Sequence, residues 1–168
     1  KGTFVSSAKT NQNHSSFSSF TDNVKSMGQT LTTRTILVSH EPSTEGQRKF
    51  FNLGVNESLL KIERLRYVDN IAICIETSWF MTELDSLQNK NLNGSLYAVL
   101  QKEYNIHPLT GSETIELCYA SSEESELLDV PRGSALVLIV DQVYDSTGKP
   151  LHISKLVLRG DKFKYTLK

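Results

Sequence analysis

Two apolar runs of matched length, Leu59–Val68 and Ile71–Phe80, flank the dipeptide Asp69-Asn70. The arrangement predicts a long antiparallel β-hairpin, because Asp and Asn are turn residues that tolerate a left-handed backbone. Within the first run Arg64 and Arg66 stand two apart and project from the same face, with Leu65 and Tyr67 on the other. Like charges that close repel unless an anion, an acidic side chain or water separates them. A solvated strand face, or ion pairs to neighbouring Glu, accounts for the pair without any ligand. An anion-binding site accounts for it as well. The return strand puts Ile71, Ile73 and Ile75 on one face and Ala72, Cys74 and Glu76 on the other, so Glu76 interrupts a face of small residues that leaves room for something.

The rest of the chain supplies more strands, with helices inserted between them. Ser19 to Gly28 predicts a short helix with Thr21 as N-cap and Gly28 as the stop. Thr33–His40 is rich in β-branched residues and reads as a strand. Ser43–Gly54 reads as a helix capped by Gly54, and Asn93–Tyr104 as another with Ser95 as N-cap. A strand is expected over Ser112–Tyr119, and a capping box at Ser121-Ser122-Glu123-Glu124 opens a short helix that Pro131-Arg132-Gly133 ends. Ala135–Tyr144 and Leu151–Leu158 form a second hairpin about the turn Asp145–Lys149, and Phe163–Thr166 adds a final edge strand. Hairpins with interposed helices predict an α+β domain around an antiparallel sheet.

With 168 residues the chain suits one domain with a proper core, and a net charge of −1 provides no global field for nucleic acid or an anionic membrane. No apolar run is long enough to span a bilayer and no signal peptide is visible, so the expected compartment is the cytoplasm. Cys74 and Cys118 fall inside strand-like runs and read as free thiols in a reducing compartment. The chain opens on Lys1 rather than Met, which marks it as a fragment or a processed chain, and Ser6–Ser19 has the polar composition of a linker.

Helix starts offer unpaired backbone N–H groups and a partial positive charge. Two such starts carry small hydroxyl residues, Ser19-Phe20-Thr21 and Gly94-Ser95-Leu96. If both point at Arg64 and Arg66, the result is a pocket for a phosphate or carboxylate; otherwise each is an ordinary cap. Enzyme chemistry finds little support. His14, His40, His107 and His152 are scattered without metal-ligand spacing, and there is no P-loop, nucleophile elbow or dinucleotide fingerprint, so no metal or cofactor is expected. Glu76 and His152 are the one pair that could do acid–base work, should the two hairpins face each other.

In order and spacing these segments resemble the UTRA domain, the effector-binding half of the HutC branch of GntR-type bacterial transcriptional regulators. The marks are Ser19-Phe20-Thr21, Arg64-Leu65-Arg66, Ile75-Glu76-Thr77-Ser78, Gly94-Ser95-Leu96-Tyr97 and Arg159-Gly160-Asp161-Lys162-Phe163, over essentially all of residues 19–168. Lys1-Gly2-Thr3-Phe4-Val5 resembles the end of the wing of this family's winged helix-turn-helix, so residues 1–18 are expected to be wing and linker. The resemblance implies a chorismate-lyase-like fold, a sheet of about six antiparallel strands flanked by helices. It implies a repressor-type sensor of a phosphorylated sugar or sugar-amine conjugate, a homodimer, and operator contact only through a preceding domain. The ligand-binding positions it implies are Ser19, Phe20, Thr21, Arg64, Arg66, Glu76, Ser95, Tyr97 and His152. Amino-sugar-phosphate binders place an acidic residue near His152 and an aromatic one at Leu158, so the phosphate grip looks kept while the other end of the pocket differs. A chorismate-lyase-like enzyme, or a dimerisation module with a vestigial pocket, are the alternatives.

Overall fold

The computed structural model describes residues 10–14, 24 and 28–167. Six strands form one antiparallel sheet: β2 (Leu31–Pro42), β3 (Ser58–Val68), β4 (Ile71–Met81), β5 (Pro108–Tyr119), β6 (Ala135–Asp145) and β7 (Pro150–Arg159), in spatial order β2-β3-β4-β7-β6-β5. The expected α+β architecture is present. Asp69 and Asn70 turn the first hairpin at φ of 50° and 67°, the left-handed conformation their short polar side chains accommodate. The second hairpin lies against the first through β4 and β7, so the two hairpins meet at the middle of the sheet. A two-stranded parallel sheet joins β1 (Thr10–His14) to β8 (Phe163–Leu167). Residues 10–14, linker-like in composition, are therefore a strand, since backbone pairing needs no apolar side chain. β8 adds to β1 rather than to the edge of the main sheet.

The helices cover both faces. α1 (Glu45–Phe51) is closed by a capping box of Thr44 and Gln47 and by Asn52 in the left-handed conformation, not by Gly54 as expected. With α1 on one face pack Phe50, Phe51, Leu59 and Ile153. α3 (Ser122–Leu128) has the predicted box of Ser121 and Glu124 and buries Leu128 on the same face with Leu65, Ile75 and Val157. On the opposite face a 3-10 helix (Thr82–Asn89) and α2 (Leu96–Tyr104) bury Leu87, Leu92, Leu96 and Leu100 against Leu60, Ile62 and Phe80. At the other end of that face Val24 packs on Val68, Ile73, Cys74, Ile139 and Leu158. Between these two apolar clusters the sheet is polar.

A β-bulge adjoins that polar stretch. Arg66 pairs with Cys74 and Tyr67 with Ala72, leaving Ile73 as the extra residue. The bulge breaks the expected alternation: Ala72 packs with Ile75, while Ile73 joins the cluster around Cys74. Ala135–Val140 is held on both sides by β5 and β7, and among the described residues the free edges of the sheet are β2 and β5. Among the described residues no helix is long and apolar enough to cross a membrane.

Candidate functional site

Arg64, Arg66 and Glu76 share one face because Arg64 sits opposite Glu76 in the β3–β4 ladder and Arg66 lies two residues along. Neither arginine is solvated, being only 1% and 2% exposed, which excludes the charged-surface reading. Arg64 Nη2 donates to Glu76 Oε1 at 2.7 Å, and Arg66 Nη1 donates to Glu76 Oε2. Burial by itself would raise the Glu76 carboxyl, but Arg64 and Arg66 more than offset it and hold it at about 2. Two guanidinium groups thus face one carboxylate in the buried cluster.

Arg64 has a second task. Its Nη1 donates to the carbonyls of Leu92 at 3.2 Å and Gly94 at 3.0 Å, while Asn93 Oδ1 accepts from the Thr35 backbone N–H at 2.8 Å. These bonds fasten the 92–94 loop to the sheet and so place the start of α2 over the arginines. Ser95 is the N-cap, its hydroxyl accepting from Ala98 N–H at 3.2 Å. Arg64 Nε is buried without a hydrogen-bond partner.

From α2, Tyr97 reaches back to the sheet, its Oη 3.0 Å from His152 Nε2. His152 is 3% exposed and its ring lies against Phe80 and Tyr97, with centroids 5.4 and 5.6 Å away. Burial pulls its pKa down to about 4, and the nearby Glu76 charge only partly opposes this, so it is a neutral imidazole at physiological pH. Burial also raises the Tyr97 phenol.

The structure therefore brings Arg64, Arg66, Glu76, Ser95, Tyr97 and His152 to one face, between the sheet and α2. Ser19, Phe20 and Thr21 lie outside the described residues. Sequence reasoning passed over two carboxyls on the same face, Asp141 and Glu113, which pair across β6 and β5. Their spacing in the chain carries no signal; only the strand order brings them beside Glu76 and His152. A separate cavity of about 310 Å³ opens beyond the end of this face, among residues such as Met81, Leu84, Ile106 and Lys149. None of the expected site residues lines it. Among the described residues no group of His, Cys, Asp and Glu is placed to hold a metal ion.

The sequence profile of the UTRA domain matches residues 26–164. This chain belongs to the UTRA domain family. The HTH-type transcriptional repressor NagR of Bacillus subtilis (strain 168) is 31% identical over 167 residues, which are 98% of this UTRA domain chain and 68% of that protein. A protein of Escherichia coli (strain K12), "Probable fructoselysine utilization operon transcriptional repressor", is 25% identical over 99% of this chain and 69% of its own length. The crystal structure of PhnF from Mycobacterium smegmatis superposes with a TM-score of 0.88 at 20% identity, covering 95% of this chain and 71% of that one. The UTRA domain described here is accordingly the effector-binding domain of a GntR-type transcriptional regulator.

Proposed function

We propose that this domain senses a phosphorylated sugar or amino-sugar-type effector whose anionic group sits at Arg66 and the start of α2. The carrying observation is the buried cluster of two arginines on one glutamate, set at the first turn of a helix. An anion there meets a guanidinium, the backbone N–H groups of α2 and the Tyr97 hydroxyl above the sheet. No single one of these suffices: a helix terminus contributes about 0.3–1 kcal/mol and a charge-assisted hydrogen bond about 1.5–3, while micromolar affinity needs about 8. The names of the relatives, a repressor NagR and a fructoselysine utilization operon repressor, agree with a sugar-derived ligand. Ser19, Phe20 and Thr21 are proposed to close the same site from the preceding helix.

In this reading the domain is a sensor, not an enzyme. Glu76 is fully engaged by two arginines and holds its charge down to about pH 2, so it is a poor proton acceptor. His152 spends its Nε2 on Tyr97. The operator is contacted by a helix-turn-helix domain of the kind named for NagR. Calorimetric titration with phosphorylated sugars tests the site. Arg66→Ala should weaken the best of them by about 2–4 kcal/mol, roughly thirty- to a thousandfold. Equal affinities for wild type and variant would end the anion-site reading.

A further inference from the structure

The sheet ends irregularly where the second hairpin turns. Val143 pairs with His152 and Tyr144 with Pro150, so Leu151 is an extra residue in β7, and its side chain joins the apolar cluster under α2. Around it lies the cavity of about 310 Å³, with Met81, Leu84, Ile106 and Pro150 completing an apolar floor. Its size falls at the small end of the range that holds small molecules, roughly 300–1,000 Å³.

The walls are tied in place. The Ser146 N–H donates to the His107 carbonyl at 2.8 Å and joins the β6–β7 turn to the loop after α2. Asp145 Oδ1 accepts from the Thr147 N–H at 2.8 Å, the Thr147 hydroxyl at 2.6 Å and the Lys149 N–H at 3.0 Å, so the turn braces itself. Across the cavity the Ile106 N–H donates to the Leu100 carbonyl at 3.1 Å, which fixes Ile106 to the end of α2. The hollow is therefore preformed, as ligand sites usually are.

Its mouth carries both signs of charge. Glu83 comes from the 3-10 helix and Lys149 from the β6–β7 turn, and both are exposed. The C-terminal end of α2 adds partial negative charge on the side of Asn105 and Ile106. A purely anionic guest meets Glu83 and that helix end, and a purely cationic guest meets Lys149. A guest with an ammonium and a carboxylate on one carbon answers both signs, and an apolar side chain on that carbon suits the floor.

We propose that this cavity is a second ligand site, separate from the anion site, for a free amino acid with an aliphatic or aromatic side chain. Glu83 accepts from the ammonium, Lys149 donates to the carboxylate, and the side chain lies on Met81, Leu84, Ile106 and Leu151. The site does not depend on the anion grip. α2 starts over Arg64 and ends here, a length of about 14 Å at roughly 1.5 Å per residue, so one helix borders both sites.

Calorimetric titration of the domain with L-leucine, L-phenylalanine and two truncated leucines tests this: 4-methylpentanoate lacks the ammonium, and 3-methylbutylamine lacks the carboxylate. The better amino acid should bind about tenfold more tightly than either truncated probe. Glu83→Gln should weaken it about fivefold and leave 4-methylpentanoate within about twofold, while Lys149→Gln should weaken it about fivefold and leave 3-methylbutylamine within about twofold. Both substitutions fall at exposed positions, where the fold tolerates them. Amide resonances that shift on addition of the amino acid should centre on Ile106, His107 and Lys149. No binding of either amino acid up to about 10 mM overturns the proposal. So do equal affinities for the amino acids and the truncated probes, an affinity unchanged in both variants, or shifts centred on Arg66 and Ser95.

Discussion

The Arg64 guanidinium donates to the Gly94 carbonyl at 3.0 Å, one residue before the Ser95 cap of α2. A strand arginine thus sets where a helix begins. The same side chain is 1% exposed and paired with Glu76, so its removal is a structural change before it is a binding change. Relief of like-charge repulsion is therefore outweighed by the loss of these buried contacts.

Arg64→Ala should therefore destabilise the domain by about 3–5 kcal/mol, since it leaves Glu76 half-paired and two carbonyls without donors. Urea melts of Arg64→Ala and Arg66→Ala, with hydrogen exchange at Val99 and Leu100, measure it. Exchange in α2 should quicken more in Arg64→Ala, because Arg64 Nη1 is the donor that holds the Leu92 and Gly94 carbonyls before α2.

Glu76→Gln should cost about 3–5 kcal/mol at pH 7, because two buried guanidinium groups lose their counter-charge. The sign with pH follows from the lowered carboxyl. Its stabilisation is fully present above the unfolded value, near 4.5, and is lost as pH falls towards about 2. Wild type should lose stability across that range, and Glu76→Gln should lose less.

Asp141 has the opposite sign. A carboxyl raised from 3.8 to about 8 favours its protonated form in the folded state, so stability falls as pH rises between those values. The slope reaches at most about 1.4 kcal/mol per pH unit for one proton. Asp141→Asn should flatten the profile and melt higher than wild type at pH 8. Thermal melts at pH 6, 7 and 8 read the difference, and a profile as steep as wild type would count against it.

Much of this was legible in the chain. Asp69-Asn70 announced the first hairpin, Ser95 and the Ser121–Glu124 box announced two helix starts, and the two-residue spacing of Arg64 and Arg66 placed them on one face. These are local signals, carried by residues a turn or a ladder step apart. What stayed hidden depends on distant parts. Asp141 and Ser154 meet only because β6 lies beside β7, and Glu76 comes near them only because β7 lies beside β4. The bulge at Ile73 left the apolar pattern of Ile71–Ile75 unmarked. Asn52 in place of Gly54 as the α1 cap shows a residue tolerant of the left-handed region overriding the stronger glycine signal.

The exposed face of β5 carries the last prediction. Ile115, Leu117 and Tyr119 alternate along a free edge strand and are 46%, 66% and 67% exposed. Apolar side chains in that pattern on an edge favour association, and most soluble oligomers are twofold dimers in which one surface meets its own copy. The domain is expected to dimerise through this strand. Sedimentation at tens of micromolar should give a dimer for wild type, and Leu117→Lys should shift it to monomer by placing a charge at the centre of the contact. The substitution lies at an exposed position, so the melting temperature of the monomer should change by no more than that expected for about 0.5 kcal/mol once concentration is allowed for. A wild-type monomer at that concentration, or a dimer indifferent to Leu117→Lys, would place the association elsewhere or remove it.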